Sequence, residues 1–152
     1  MNAELAIWHQ SASLSSLHFD PKTINRDNQI KFIRTTPTFP FSAAVIHSGR
    51  TLETVLTGIP PGQNRPVSGG VKAELAEIFS QLDEILAEAG VNKTAVASVR
   101  LYLQDVHRDI ADANELYREY FGAHSPNRRA YGVDLQVGML IEGAFVAELP
   151  PE

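Results

Sequence analysis

The sequence predicts an α+β fold: a mixed β-sheet with two helices packed on one face. Three observations lead there. Residues 29–61 hold short apolar runs rich in β-branched residues, divided by turn signals. Residues 71–90 repeat apolar side chains at helical spacing. The remainder switches between the two periods, giving the order β-β-(β)-α-β-α-β-β.

The β-like part opens with Ile30-Lys31-Phe32-Ile33-Arg34, where Ile30 and Phe32 share one face. After residues 35–40 comes Ser42 to His47, then a turn at Ser48-Gly49-Arg50 and a strand from Leu52 to Thr57. Together these read as a hairpin. Ile59-Pro60-Pro61-Gly62 ends it, and a loop runs to Gly70.

The first helix carries Val71, Leu75, Ile78, Phe79, Leu82, Ile85 and Leu86 on its apolar stripe. Lys72, Glu74, Glu77 and Gln81 are assigned to its other faces. Ser68 is the expected N-cap and Gly90 the expected stop. Val96 to Leu103 reads as a strand with Val99, Leu101 and Leu103 on one face. Asp105 or Asp109 caps a second helix through Ile110, Ala113, Leu116, Tyr117, Tyr120 and Phe121, and Gly122 ends it. Two strands close the chain, Arg129 to Leu135 and Leu140 to Leu149, joined by Gln136-Val137-Gly138.

The last strand is apolar on both faces, with Ile141, Phe145 and Ala147 against Leu140, Ala144 and Val146. Two helices cover only one side of a sheet. Association through the other side is the simplest remedy, so a homo-oligomer is expected.

The chain has 152 residues, enough for one core. Residues 1–28 read as an N-terminal extension and residues 29–152 as the domain. In the extension, Leu5, Ile7 and Trp8 suggest a short strand and Asp20-Pro21-Lys22 a turn. A hydrophobic share of 43% excludes a disordered chain. The net charge of -5, with no basic stretch, makes nucleic acid an unexpected partner. With no cysteine there is no disulfide, thiolate metal site or thiol nucleophile, which is compatible with a cytoplasmic location. The first ten residues lack the pattern of a secretory signal, and no apolar run is long enough to span a bilayer.

The five histidines are dispersed without metal-ligand spacing, so no metal is expected. Gly69-Gly70 before a helix lacks the Lys and Ser/Thr of a phosphate loop. The run from Ser125 to Glu142 is more informative. A helix ends at Gly122, a short loop carries Pro126, and Arg128 opens a strand.

Here the sequence resembles the YjgF/Rid family of reactive-intermediate deaminases, also called endoribonuclease L-PSP. The resemblance covers roughly Ile30 to Leu149. It rests on Pro40-Phe41-Ser42, Thr57-Gly58-Ile59-Pro60, Leu86-Ala87-Glu88-Ala89-Gly90 and Val99 to Asp105. It continues through Asn114 with Tyr117 and Phe121, Pro126-Asn127-Arg128, and Leu140-Ile141-Glu142. The resemblance implies a chorismate-mutase-like fold, a homotrimer, and ligand sites between subunits. It implies hydrolysis of enamine or imine acids to 2-keto acids and ammonia, without a cofactor. The family's carboxylate-gripping Arg falls on Arg128, its water-associated Glu on Glu142, and its second-helix Asn on Asn114. Phe41, Thr57, Gly58 and Ala130 fall at the substrate.

Phe41 stands where the family has a Tyr, which removes one hydroxyl. Leu56-Thr57-Gly58 stands where the family has Ser-Gly-Gln. Arg129 adds a second charge, but strand neighbours face opposite sides, so only one of the two arginines enters a given cleft. Arg129 is assigned to the surface.

Physical chemistry supports part of this assignment. A guanidinium holds a planar carboxylate with two parallel bonds and stays charged when partly buried. Glu142 lies in an apolar strand, and burial raises a carboxyl pKa, which suits a group that orients or deprotonates water. A Glu at a sheet edge remains an alternative, given Gly143 beside it. Asn114 is open to a loop-carbonyl bond or a ligand contact, and Phe41 to a cleft wall or a core position.

Three activities are therefore weighed: an imine hydrolase, a non-catalytic binder of small carboxylates, and a ribonuclease, which the acidic balance disfavours. If the last two strands form a simple hairpin, Arg128 lies opposite Ala147 and Glu142 opposite Val133. The two are then roughly 17 Å apart along the ladder, so the site takes groups from neighbouring subunits.

Overall fold

The computed structural model describes residues 30–34 and 41–151. The expected extension, residues 1–28, lies outside them. Among the described residues the order is β1 (Lys31–Ile33), β2 (Ala44–His47), β3 (Thr51–Thr57), α1 (Gly70–Glu88), β4 (Val96–Leu103), α2 (Val106–Phe121), β5 (Asn127–Gly132) and β6 (Ile141–Glu148). A short 3-10 turn, Lys93–Ala95, precedes β4. The element order is the one expected, and the fold is α+β.

The β2–β3 hairpin turns at Ser48 and Gly49, both at positive φ (56° and 63°). That backbone matches the twist of the strands it joins. Helix α1 departs from expectation at its start. Gly69 rather than Ser68 is its N-cap, with φ 120° and no side-chain cap bond. The chain enters the helix through two glycines at positive φ, which leaves Ser68 one position too early to reach a free helix amide. The other caps are as read. Gly90 leaves α1 at φ 79°. The Asp105 carboxylate accepts the Arg108 amide at 3.0 Å. Gly122 ends α2 at φ 59°, its amide donating to the Arg118 carbonyl.

The sheet order is β1-β2-β3-β6-β4-β5. Only β4 and β5 are parallel, and α2 is the crossover between them. The closing strands therefore form no hairpin: β6 pairs with β3 on one side and β4 on the other. The cause is legible. A strand apolar on both faces gains most at the centre of the sheet, whereas Asn127, Arg128 and Arg129 suit an edge. β5 also ends at Gly132, short of the expected Leu135.

Both helices pack on one face. Val99, Leu101, Leu103, Ile141, Phe145 and Ala147 meet Leu75, Ile78, Leu82 and Leu86 there, all essentially inaccessible. Each of these side chains larger than alanine contributes roughly 1.5–3 kcal/mol by leaving water. The other face is open, and Phe32 and Val55 stand 60% and 59% exposed on it. No described helix is long and apolar enough to cross a membrane.

Candidate active site

The sequence-predicted residues fall into two groups on opposite sides of the sheet. The first is built on edge strand β5. Arg128 is level with Val99, and Ala130 with Leu101, so both point to the helix side. Arg129 and Tyr131 point to the open side, level with Arg100 and Tyr102. As expected, the two arginines serve different faces. The Arg128 side chain reaches α2, where its Nη1 donates to Asn114 Oδ1 at 2.6 Å. Asn114 is partly exposed, and its amide oxygen is taken by the arginine. It holds the arginine. Among the described residues no carboxylate pairs with Arg128. Ala130 is small and two residues further along the same face, so it leaves room beside the guanidinium.

The second group lies where β3 and β6 meet. Thr57 and Glu142 are register partners, both directed to the open face. Side chains so paired have Cβ atoms about 5 Å apart, and the Thr57 hydroxyl accepts the Ile59 amide at 3.4 Å. Glu142 is no edge residue, because β6 is flanked on both sides. It is half-buried, and burial pushes its carboxyl above the usual carboxylate range. Across β6 its other partner is Tyr102, whose ring stacks on Tyr131 with centroids 5.8 Å apart. Phe41, on the segment entering β2, is 66% exposed and so is not a core aromatic.

Within one chain the two groups do not meet. Arg128 is level with Val99, and Glu142 with Tyr102, three residues along β4 and two strands across. Strand spacings put their backbones about 14 Å apart, and they face opposite sides. The separation expected from a hairpin was right in kind, but β4 between the two strands is its cause.

Gly58 is fixed by a residue that the sequence pattern misplaced. Glu74 was assigned to a polar face of the first helix, yet it is 1% exposed. It falls three residues after Val71 and four before Ile78, on the apolar stripe itself, a signal that its charge masked. Its carboxylate oxygens accept the Leu140 amide, both at 3.1 Å. Burial and then nearby Asp109 push its carboxyl up, while the Leu140 bond opposes them. Gln81, also placed on a polar face, donates to the carbonyls of Thr57 and Ile59 at 3.2 and 3.0 Å. These two inward polar side chains brace the ends of β3 and β6 that carry Thr57 and Glu142.

A methyl group on Gly58 would lie 2.6 Å from Glu74 Cβ and 2.9 Å from its Cα. The helix backbone cannot yield that space. Gly58→Ala is expected to cost about 2–3 kcal/mol in urea unfolding, by overpacking. A change under 0.5 kcal/mol would show that β3 and α1 are not in tight contact.

The comparisons with known proteins agree with this architecture. The family described as endoribonuclease L-PSP matches residues 33–149. The human protein named 2-iminobutanoate/2-iminopropanoate deaminase is 34% identical over 107 residues, 70% of this chain and 74% of its own. A RutC family protein of Pyrococcus abyssi is 33% identical over 112 residues, 73% of this chain and 87% of its own. A solved Rid-family structure from Yersinia pestis superposes with a TM-score of 0.72 at 21% identity, covering 80% of this chain and 100% of that one. The chain belongs to the endoribonuclease L-PSP family, the YjgF/Rid proteins.

Proposed function

We propose that the protein hydrolyses small reactive enamine or imine acids to 2-keto acids and ammonia. Its sites lie between the subunits of a homo-oligomer, a trimer. The observation that carries this reading is the division of the candidate residues into two half-sites that one chain keeps apart. One half-site has a guanidinium that no described carboxylate pairs with. The other has a partly desolvated carboxyl whose register partner is a threonine. Relatives at about a third identity bear deaminase names, which supports the choice of reaction.

In this reading, Arg128 holds the substrate carboxylate through paired bonds. Glu142 of the neighbouring subunit accepts a proton from water as the water oxygen bonds to the imine carbon. With the imine nitrogen protonated, this gives a neutral carbinolamine; Glu142 returns its proton to the nitrogen, and the C–N bond breaks to release ammonia. The carbinolamine O–H gives its proton to solvent as its electron pair forms the C=O bond, and the oxygen stays as the keto group. Thr57 is the register partner of Glu142, and Phe41 is an exposed apolar wall. The exposed apolar residues of the open sheet face support assembly.

The test follows ammonia release from 2-iminobutanoate generated in place by a threonine dehydratase. Release well above the spontaneous rate is expected. Spontaneous release with full carboxylate binding would favour the second reading, a binder without turnover. Phe41, lacking a hydroxyl, is the feature that favours it.

A further inference from the structure

We propose that Tyr117 is a positioning residue for Arg128: its ring face holds the guanidinium in the orientation that receives a substrate carboxylate. This rests on the reading of Arg128 given above.

Arg128 sits on an edge strand, where a long side chain has many rotamers open to it. Two residues of α2 remove that freedom. Asn114 and Tyr117 are three apart, hence on one side of the helix. Asn114 Oδ1 takes one guanidinium N–H at 2.6 Å. The Tyr117 ring lies under the guanidinium, its centroid 5.1 Å from Cζ, within cation–π range. An amide oxygen fixes one corner of the cation and an aromatic face fixes its plane.

Both supports are uncharged. A carboxylate in either place would neutralise Arg128 and compete with the ligand. An amide and a π face hold it while leaving its full charge for an incoming anion.

Tyr117 is itself well held. Its ring packs against Phe121 at 4.7 Å and Phe79 at 6.4 Å. The hydroxyl, by contrast, is buried with no hydrogen-bond partner. It therefore adds no hydrogen bond to the free chain, and burial pushes its pKa up, keeping it neutral. The aromatic face is the part of this residue that acts on Arg128. Replacing the hydroxyl and removing the ring's electron density should have different results.

The experiment measures the Kd of 2-oxobutanoate by calorimetry, and KM and kcat for 2-iminobutanoate. The proteins are wild type, Tyr117→Phe, Tyr117→Met, Arg128→Ala and the Tyr117→Met/Arg128→Ala double variant. A further form with pentafluorophenylalanine at position 117 keeps ring size and withdraws charge from the face, so it tests the idea even if Tyr117→Met does not fold. Tyr117→Phe is expected within twofold of wild type. Tyr117→Met and the fluorinated form should weaken Kd and raise KM by roughly three- to tenfold, with kcat changed less. On the Arg128→Ala background, Tyr117→Met should add nothing. A Kd unchanged by the fluorinated ring, or equal losses from Phe and Met, would overturn the inference alone. An Arg128→Ala protein that binds as wild type would overturn the reading beneath it as well.

Discussion

Arg128→Ala should lower kcat/KM for 2-iminobutanoate about a hundredfold and abolish stabilisation by 2-oxobutanoate, while the protein stays folded. Losing one partner of a desolvated charge pair costs roughly 3 kcal/mol, which is that factor. The loss should appear mainly in KM, because a carboxylate grip is made in the ground state and kept in the transition state. The fold should survive, since Arg128 is on an edge strand and, among the described residues, its side-chain hydrogen bond goes to the side chain of Asn114. Arg128→Lys should recover little, because an ammonium lacks the planar fork. The check is steady-state kinetics beside thermal unfolding with and without keto acid. Wild-type kinetics in Arg128→Ala would remove the carboxylate grip from the account.

Glu142→Gln should lower kcat by roughly two to three orders of magnitude with little change in KM, as expected for loss of a general base. Its pH profile is as informative as its rate. Glu142 must be ionised to take a proton from water, and burial raises its pKa. Wild-type activity should therefore fall as pH drops through a value above the ordinary carboxylate range. In Glu142→Gln that acid limb should vanish. Stability runs the other way. A carboxyl whose folded pKa is raised binds more protons folded than unfolded, so its contribution worsens as pH rises through that range. Glu142→Gln should thus be no less stable than wild type at neutral pH, and less dependent on pH. A pH–rate profile that keeps its acid limb in the variant would assign that limb to another group.

Much of the architecture was legible because its signals are local. The spacing from Val71 to Leu86 and the caps at Asp105 and Gly122 placed both helices. Strand pairing was not legible, because the partner of a strand is chosen by the whole sheet. The short connection between the last two strands left a simple hairpin open. What decided their positions was the two-sided apolarity of β6 against the arginines of β5. Glu74 and Gln81 were misread for a related reason. A charged or amide side chain on an apolar stripe finds its partners in backbone far along the chain, at Leu140, Thr57 and Ile59. Of the candidate site, the family resemblance proposed Arg128, Glu142 and Asn114. That Asn114 holds Arg128, and that Tyr117 lies beneath it, needed the helix laid across the strand.

Two inactive variants provide the sharpest test of a site shared between subunits. Arg128→Ala and Glu142→Gln, differently tagged, are co-expressed at equal levels, and mixed oligomers are isolated through both tags. If each site takes Arg128 from one subunit and Glu142 from the next, every mixed trimer has both residues intact in about one site in three. Imine hydrolysis should then return to roughly a third of the wild-type rate, with wild-type KM at the restored sites. If both residues act within one chain, no mixed site is complete, and the mixture should stay as inactive as its parents.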